Sequence, residues 1–455
     1  MERSADLVVR GGHVLTMGPA GAIADGAVAI RDGEILAVGP AAEILATHPG
    51  AEVVGDEWGI VAPGFVNAHT HLSEALIPGM GEDLTLFEWA ARVVVPAGRH
   101  LTREMAHVGA RLKVAEMLLS GVTTVNDMFV HTNMGSLASL GVVDGLEEMG
   151  MRAEVSFGAE DAFDPHPVSM FMAEHEALAD RAASSPLVRF RMGVGTILGQ
   201  TEALLAASAD EARRHGWPVH THLAEVREEV VDARVRTGRN TVEIARDSGL
   251  LDVPVIAGHC IWVGRPDIAI LAAHGVAAAH NPVANMILAS GVCPVDHLRG
   301  AGLAVGLGTD GAASNDSQNM LEAMKAAALL QKVSRLDPRA LTAPEVLAMA
   351  TIDGARGLGL DDVTGSLEPG KRADVVRFHG HGPGLANIHD PFQQLVYCTS
   401  PLDVADVWVD GRPRVRDGRL IDADLGSLID DSRPLAKELV TRAGMQDLSC
   451  LARSS

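Results

Sequence analysis

The chain has few cysteines, a deficit of positive charge and no long apolar run. Its four cysteines are widely spaced and form no Cys-x-x-Cys pair: Cys260, Cys293, Cys398 and Cys450. This spacing excludes the disulfide framework of a small secreted domain and favours a reducing cytoplasm. No apolar run reaches the length of a membrane-spanning helix, and residues 1–6 lack the charged-then-apolar layout of a signal peptide. We therefore expect a soluble cytoplasmic protein with no membrane partner.

Basic residues are outnumbered, with 37 Lys and Arg against 59 Asp and Glu, so the formal net charge is -22. An acidic surface of this kind repels phosphate backbones, and we expect no nucleic-acid partner. The composition, 47% hydrophobic and 21% charged, is that of a globular protein rather than a disordered one. The length of the chain, compared with the usual size of a domain, suggests about three domains, although a single α/β barrel can be larger than an ordinary domain.

The two ends of the chain share a pattern of short apolar bursts that the middle lacks. The bursts lie at residues 7–10, 27–30, 35–38, 373–376 and 404–409, and Asp-Gly turns follow two of them, at 32–33 and 410–411. We expect residues 1–59 and 366–424 to fold together as a small β-sandwich. The tail at 425–455 is helix-like, and it serves either as an oligomer contact or as a solvated helix.

The middle of the chain, residues 60–365, repeats the order strand, turn, helix. Eight apolar segments predict strands at 60–66, 122–125, 153–157, 188–194, 218–221, 253–257, 276–279 and 303–306. Helical spacing predicts helices at 104–119, 202–215, 267–274, 320–333 and 343–357. Eight strands alternating with helices are the number that closes a (β/α)8 TIM barrel, so the predicted fold class is α/β.

Histidines and carboxylates follow four of these strands. The first strand ends in His69-Thr70-His71, the fifth in 220–225, the sixth in 258–260 and the eighth in 308–311. Residues i and i+2 of a strand point to one side, so His69 and His71 could hold one ion together. Two core histidines are the alternative for an isolated His-x-His pair. Four such strand ends favour an active site, because barrel active sites lie at that face.

These motifs resemble the amidohydrolase superfamily. The resemblance is closest to the branch that holds S-adenosylhomocysteine and methylthioadenosine deaminases, 8-oxoguanine deaminase and the s-triazine hydrolases such as atrazine chlorohydrolase. The matching stretches are residues 63–72, 222–225, 258–260, 289–295, 306–316, 349–355 and 365–374. They cover nearly the whole chain and are far less specific for the substrate than for the superfamily.

The resemblance implies one divalent ion, zinc or, as the alternative, iron. Its implied ligands are His69, His71, His222 and Asp310. Three imidazoles and a carboxylate suit a metal that still takes up water, and such a metal brings the water to a pKa of about 7. His220 has no assigned role; an indirect or structural use is favoured over ligation.

The predicted reaction is attack of metal-bound hydroxide on a heterocycle. Asp310 would accept the proton of the water, Glu225 would deliver a proton to a ring nitrogen, and His259 would orient the hydroxide or stabilise charge.

Three further residues are predicted substrate contacts. Glu74 stands where relatives carry Gln or Glu, and Trp89 lies in a segment that resembles the aromatic pocket of the family, with core packing as the alternative. Asn315 either contacts substrate or caps the following helix.

Two departures from the family pattern bear on the substrate. Gly98 stands where nucleoside deaminases of this branch carry a Glu that binds ribose hydroxyls, and residues 195–200 replace their His-Ala-Pro-Tyr motif. Both losses argue against a ribosylated adenine and favour a free heterocycle or a smaller aminated ring.

The sequence therefore predicts a metal-dependent hydrolase that removes an exocyclic amino group from a nitrogen heterocycle and releases ammonia. Removal of another leaving group, such as chloride from an s-triazine, and nucleoside deamination are the alternatives. A non-catalytic metal-binding protein is disfavoured because the acid–base set is complete. The expected partners are a small heterocyclic substrate and further copies of the chain in a homo-oligomer.

Overall fold

The computed structural model describes residues 4–448 and shows an α/β fold. The strands are Leu7–Leu15 (β1), Ala22–Arg31 (β2), Glu34–Pro40 (β3), Glu52–Gly55 (β4), Ile60–Pro63 (β5), Phe65–Thr70 (β6), Val122–Phe129 (β7), Arg152–Phe157 (β8), Val188–Phe190 (β9), Met192–Thr196 (β10), Val219–Leu223 (β11), Val255–His259 (β12), Ala277–His280 (β13), Val305–Leu307 (β14), Val375–Phe378 (β15), Val404–Val409 (β16), Arg412–Arg416 (β17) and Arg419–Leu420 (β18).

Helices separate most of the central strands. The α-helices are Ala41–Thr47 (α1), Leu86–Trp89 (α2), Val95–Gly98 (α3), Arg103–Leu119 (α4), Leu140–Met149 (α5), Val168–Ala183 (α6), Glu202–His215 (α7), Arg227–Thr237 (α8), Thr241–Asp247 (α9), Arg265–Ala273 (α10), Pro282–Ile287 (α11), Val295–Gly300 (α12), Met320–Arg335 (α13), Ala343–Met349 (α14), Ile352–Leu358 (α15), Pro391–Cys398 (α16) and Leu425–Arg442 (α17). Within residues 4–448, no helix is both long enough and apolar enough to cross a membrane.

The central strands form two parallel sheets. One has the order β6-β7-β8-β9 and the other β10-β11-β12-β13-β14. Two backbone contacts link them: Ala159 forms a parallel bridge with Val194, and the N–H of Asp310 donates to the carbonyl of His69 at 3.0 Å. Because all nine strands run parallel, their carboxyl ends meet at one face.

Strands from both chain ends lie in a third, nine-stranded sheet. Its order is β18-β17-β16-β15-β5-β1-β2-β3, and β4 pairs with β1. The join is the antiparallel pairing of β5 with β15, in which Ile60 faces Phe378. A buried cluster with Val14, Val61 and Trp408 holds residues of both ends. The similar composition of the two ends thus reflects one shared sheet.

The predicted first strand, 60–66, is wrong as a single strand. Gly64 divides it, so that Ile60–Pro63 joins the nine-stranded sheet while Phe65–Thr70 is the first strand of the parallel sheet. A Cβ on Gly64 would lie 2.2 Å from the side chain of Thr123, so only glycine fits where the chain passes between the sheets. An apolar run carries no mark of such a change of sheet.

Helix positions follow the sequence signals closely. Helix α7 matches its predicted bounds: Thr201 accepts a hydrogen bond from the N–H of Leu204 at its start, and Gly216 ends it with φ of 66°. The predicted helix 343–357 is two helices, because Thr351 leaves the helical region with φ of -137° and ψ of -100°. The tail contains a helix over 425–442, in which Leu428 and Leu439 are buried.

The end of the predicted tail, 449–455, lies outside the described residues, as does Cys450. The other three cysteines are free thiols, with Cys260 and Cys293 buried and Cys398 exposed.

A buried histidine in α6 should make the fold sensitive to acid. His175 packs between Phe157 and Phe190, with ring centroids 5.3 and 6.2 Å away, and neither of its nitrogens has a hydrogen-bond partner among the described residues. Burial lowers the pKa of His175 to about 4, although Glu174 acts in the opposite direction.

We expect the charge of His175 to cost stability as the pH falls. The unfolded chain binds a proton at His175 below about pH 6.5, whereas the folded chain binds it only below about pH 4. The free energy of unfolding therefore decreases as the pH falls through that window. Linkage gives a loss of about 2 kcal/mol between pH 7 and pH 5. Denaturant titrations at the two pH values should show a smaller loss for His175→Leu than for the wild type. An equal loss in both proteins would contradict the assignment.

Candidate active site

Four strand ends bring the predicted metal and acid–base residues to one place. His69 lies on β6, with His71 directly after it, His222 lies on β11, His259 ends β12, and Asp310 follows β14. All five side chains are at least nine-tenths buried. The structure therefore assembles the predicted constellation at the carboxyl ends of the parallel strands.

The backbone turns sharply where these strands end. Ala224, His259, Cys260 and Asp310 have φ of 51°, 69°, 48° and 68°, a region that residues other than glycine seldom occupy. Strain of about 1–3 kcal/mol per residue persists only where the surroundings impose it, and such residues cluster at functional sites. Here the turns leave the His259 and Asp310 side chains facing each other.

Two imidazole nitrogens face each other without a hydrogen between them. His71 Nδ1 donates to the carbonyl of Met128 at 2.7 Å, and His222 Nδ1 donates to that of Gly195 at 2.6 Å. Both Nε2 atoms then carry lone pairs, yet they lie only 3.0 Å apart. Two nitrogens on one tetrahedral zinc ion are about 3.3 Å apart. A cation between them removes the repulsion, so the donor set fits a metal.

The His69 ring completes this set through His220. Asn126 Nδ2 donates to His220 Nε2 at 3.3 Å, while His220 Nδ1 donates to the hydroxyl of Ser156 at 3.1 Å. His220 Nε2 is therefore an acceptor, and it takes the Nδ1–H of His69 at 2.7 Å. That leaves a lone pair on His69 Nε2, a buried atom without a hydrogen-bond partner in the described chain.

Asp310 supplies a negative charge to the three histidines. Its Oδ1 lies 3.5 Å from His69 Nε2 and 3.3 Å from His71 Nε2, and it accepts the N–H of Gly311 at 2.8 Å. Burial raises the pKa of Asp310, but His259 and His69 outweigh burial and bring it well below its usual range. Asp310 is thus ionised at neutral pH, the state that a metal ligand or a proton acceptor requires.

Glu225 and His259 form the second half of the site. His259 Nε2 lies 3.5 Å from Glu225 Oε2 and 3.7 Å from Asp310 Oδ2. Burial, opposed by His259 and supported by Asp310, raises the pKa of Glu225 to about 7. The pKa of His259 is also raised, because Glu225 and Asp310 outweigh its burial. One imidazole therefore faces a protonatable carboxyl and an ionised one, which is the set needed for proton transfer.

The three predicted substrate contacts, Glu74, Asn315 and Trp89, differ in their hydrogen bonds to the rest of the protein. Glu74 accepts the N–H of Ala313 at 2.9 Å, and burial together with Asp310 raises its pKa well above the usual value. Asn315 donates to the carbonyl of Thr309 at 2.6 Å, and its Oδ1 has no partner in the described chain. Capping by Asn315 is wrong, since Asn319 caps α13. Trp89 is buried in the main core at the end of α2.

Sequence reasoning missed the residues that support the site. Glu229 accepts the N–H groups of Ala224 and Glu225 at 3.1 and 2.9 Å, and Asn285 accepts from His259 Nδ1 at 2.9 Å. Gln318 joins two strand ends: its Oε1 accepts the hydroxyl of Thr70 at 2.8 Å, and its Nε2 donates to the carbonyl of Asp310 at 2.8 Å. Of these supporting residues, only Glu229 could have been found from the sequence, because it follows the predicted acid Glu225 by four residues.

The fold and this site define a class, the α/β proteins with a cluster of side chains that could hold a metal at the carboxyl ends of parallel strands. The chain belongs to the Amidohydrolase family, which it matches over residues 60–414. Residues 26–51 also match an imidazolonepropionase-like composite domain of bacteria.

Relatives that span nearly the whole chain support this assignment. A 5-methylthioadenosine/S-adenosylhomocysteine deaminase of Syntrophobacter fumaroxidans is 36% identical over 96% of this chain and 98% of its own length. An adenosine deaminase structure from Xanthomonas campestris with bound zinc has a TM-score of 0.90 and 31% identity, covering 96% and 99% of the two chains. A zinc complex of atrazine chlorohydrolase from Arthrobacter aurescens has a TM-score of 0.86 and 26% identity, covering 94% and 100%. Neighbours of this family imply a TIM-barrel-like α/β fold.

Removing His220 should weaken metal binding. We expect His220→Leu to lower the affinity for Zn²⁺ by about 10–100-fold, because His69 loses the acceptor that sets its tautomer. Competition against a chromogenic chelator measures this directly, without any turnover. His220→Gln offers an acceptor oxygen near the same place and should lose less. Equal affinity of His220→Leu and wild type would show that His69 does not need His220.

Proposed function

We propose that the protein is a metal-dependent hydrolase that deaminates a nitrogen heterocycle and releases ammonia. The observation that carries this proposal is the pairing of Glu225, with a pKa raised to about 7, and ionised Asp310 on the two sides of His259. Hydrolytic deamination needs a group that takes a proton from water and another that gives one to the ring. Both stand beside a donor set that fits a metal.

The proposed ligands are His69, His71, His222 and Asp310, for one divalent ion. Zinc is the proposed metal, since imidazole and carboxylate suit it and the Xanthomonas relative binds it; iron is the alternative. When bound, the ion supplies a water whose pKa is lowered to about 7.

The side chains then divide the proton transfers. Asp310 accepts a proton from the attacking water, and Glu225 gives its proton to the ring nitrogen next to the carbon under attack. His259, held by Asn285, stabilises the charge that develops on the attacking oxygen. Asp310 then gives its proton to the exocyclic nitrogen, which leaves as ammonia, and the new hydroxyl group gives its proton to Glu225 as the carbonyl group forms, so that both carboxyl groups return to their starting states.

A closed barrel is the proposed scaffold for this site. We assign residues 64–365 to an eight-stranded (β/α)8 barrel, with β9 and β10 as one interrupted strand, residues 4–63 and 366–424 to a β-sandwich, and 425–448 to a helical tail. The bridge of Ala159 with Val194 and the Asp310 to His69 hydrogen bond support closure at both seams. Ile60–Pro63, at the boundary, pairs with the sandwich strands.

Glu74, Trp89 and Asn315 are the proposed substrate contacts. The Asn315 Oδ1 and Trp89 Nε1 atoms are buried without hydrogen-bond partners in the described chain, as expected for groups that a ligand would satisfy. Glu74 lies close enough to Asp310 for the negative charge of Asp310 to raise its pKa.

Two alternative substrate classes are compatible with this chemistry, namely nucleosides and chlorinated triazines. The Syntrophobacter relative is named for nucleoside substrates. The family resemblance, however, implies that Gly98 stands where a nucleoside deaminase carries a ribose-binding carboxylate. A Cβ on Gly98 would lie 3.3 Å from His131 Cα, so the end of α3 is packed closely against the backbone at His131. The Arthrobacter relative is named for release of chloride from a triazine.

We also propose that the protein forms a homo-oligomer. Helix α13 exposes Leu329 and Val333, which are 50% and 68% exposed and lie four residues apart on one face, and Leu336, which is 89% exposed, follows the end of the helix. Sedimentation velocity measures the assembly state, and a monomer at micromolar concentration would contradict the proposal.

Ammonia release from a panel of aminated purines, nucleosides, pterins, pyrimidines and s-triazines tests the function. We expect release from one class by zinc-loaded protein, at a rate that depends on bound metal. Chloride without ammonia from a chlorinated triazine would favour the alternative leaving group. A metal-loaded protein that releases neither would overturn the proposal.

A further inference from the structure

A carboxyl group that the proposed mechanism does not use lies in the loop after β8. The side chain of Glu160 rests on two glycines of the loop after β10. A Cβ on Gly195 would lie 2.4 Å from Glu160 Cγ, and one on Gly199 would lie 2.3 Å from Glu160 Oε1. Any larger residue at either position would displace the carboxyl group, so this glycine pair makes room for it.

Thr196 lies beside this carboxyl group. Its backbone N–H and its hydroxyl both act to lower the pKa of Glu160, against the effect of burial. The Thr196 hydroxyl in turn accepts the N–H of Gly199 at 2.9 Å. The two loops are tied together by Ala162 N–H, which donates to the Gly199 carbonyl at 3.0 Å, and by Gln200 Nε2, which donates to the Ala159 carbonyl at 2.9 Å.

This carboxyl group lies beside the metal-ligand set. Thr196 is the register partner of His222 across the β10–β11 pair. Gly195, which Glu160 covers, provides the carbonyl that accepts His222 Nδ1–H at 2.6 Å. Glu160 itself is partly exposed, so a small molecule at the strand ends can reach it.

No cation neutralises Glu160. Among residues 4–448, no Lys, Arg or His forms an ion pair with it. Burial raises the pKa of Glu160 to about 7, against the two hydrogen bonds from Thr196. A partly buried carboxyl group with unused lone pairs can accept a hydrogen bond from a donor outside the protein or from water.

The loop that carries Glu160 also reaches the segment that carries Gly98. Arg99 Nε lies 3.1 Å from Asp164 Oδ2, which joins the two segments. Gly98 offers no side chain, Asp164 is paired with Arg99, and Asp161 accepts from Thr201, which leaves Glu160 as the carboxyl group of this loop that a substrate could use. The donors on such a substrate are ring N–H groups or hydroxyls.

We propose that Glu160 is a substrate-binding residue, which accepts hydrogen bonds from N–H or hydroxyl donors on the part of the heterocycle remote from the departing amino group. This inference rests on the proposed function and deepens it by naming a specificity-determining residue. It predicts that the enzyme discriminates between heterocycles by donors at that remote edge, since a buried acceptor left without a partner penalises substrates that lack one.

Paired substrates and Glu160→Gln test this inference. One pair is adenosine and 2′,3′-dideoxyadenosine, which differ in hydroxyl donors; the other is cytosine and 1-methylcytosine, which differ in a ring N–H. For the pair that the wild type deaminates, we expect Glu160→Gln to lower kcat/KM of the donor-bearing member by about 10–100-fold through KM, with kcat within about twofold. The member without the donor should be unaffected. Glu202→Gln, an exposed change seven residues beyond Gly195, is the matched control.

The outcomes separate this inference from the function on which it rests. Equal losses on both members of a pair would mean that Glu160 only anchors the loops, and no loss on either would mean that it is not used; both overturn the inference and leave deamination intact. Wild-type protein with bound Zn²⁺ that deaminates neither pair, nor any other member of the panel, overturns the function and the inference together. Thr196→Val, which removes one donor to Glu160, should reproduce the selective loss to a smaller extent.

Discussion

Asp310→Asn is expected to abolish turnover, with a fall of at least about 10³-fold in kcat at saturating metal. General base catalysis accounts for about 10²–10⁴-fold, and the amide of asparagine cannot take the proton of the attacking water. The shape of the site should persist, because the asparagine oxygen can still accept the N–H of Gly311, now 2.8 Å from Asp310 Oδ1. Steady-state ammonia release over a range of Zn²⁺ concentrations provides the measurement.

The same substitution should also weaken metal binding, since the site loses its negative charge 3.3–3.5 Å from His69 and His71. Turnover must therefore be expressed per bound ion. Asp337→Asn is the matched control: Asp337 is paired with Arg339 on the surface and lies outside the site. If metal-loaded Asp310→Asn kept a tenth of wild-type turnover, another residue would have to accept the proton.

The place of the active site could be predicted from the sequence because parallel strands share a carboxyl edge. Each of the four polar strand ends follows an apolar run. Segments whose apolar residues recur at helical spacing separate the eight apolar runs of the middle of the chain. The structure brings His69, His222, His259 and Asp310 together as that pattern requires. A continuous apolar run indicates a strand that is buried in a parallel sheet. The polar residues that directly follow such runs therefore lie at the shared carboxyl edge of the sheet.

Other parts of the structure could not be read in this way, because they depend on contacts between distant loops. Glu160 faces Gly195 and Gly199 only once two βα loops are packed, and the role of His220 depends on the orientation of its ring against Asn126 and Ser156. The break at Gly64 is also invisible locally, since the reason for it is Thr123 on the next strand. Residue type and spacing do not encode such approaches.

Glu225→Gln is expected to lower kcat by about 10²–10⁴-fold while Zn²⁺ affinity stays within a fewfold of the wild type. The glutamine side chain has nearly the same shape and can still accept from Ser290, whose hydroxyl lies 3.4 Å from Glu225 Oε1, but it has no proton to give to a ring nitrogen. Glu225 is not among the atoms that converge on the metal-ligand set. Chelator competition and ammonia release on the same preparation measure the two quantities together.

The contrast between the two carboxyl variants is what assigns the roles. Asp310→Asn should reduce both metal affinity and turnover, whereas Glu225→Gln should reduce turnover alone. Glu228→Gln, exposed and three residues further along the chain, controls for the loss of a charge near β11. A more basic ring nitrogen needs less help from an acid, so the loss in Glu225→Gln should shrink as ring basicity rises across the substrates that the wild type accepts. A loss that is the same for every substrate would place Glu225 outside the proton transfer and leave it a purely positional role beside His259.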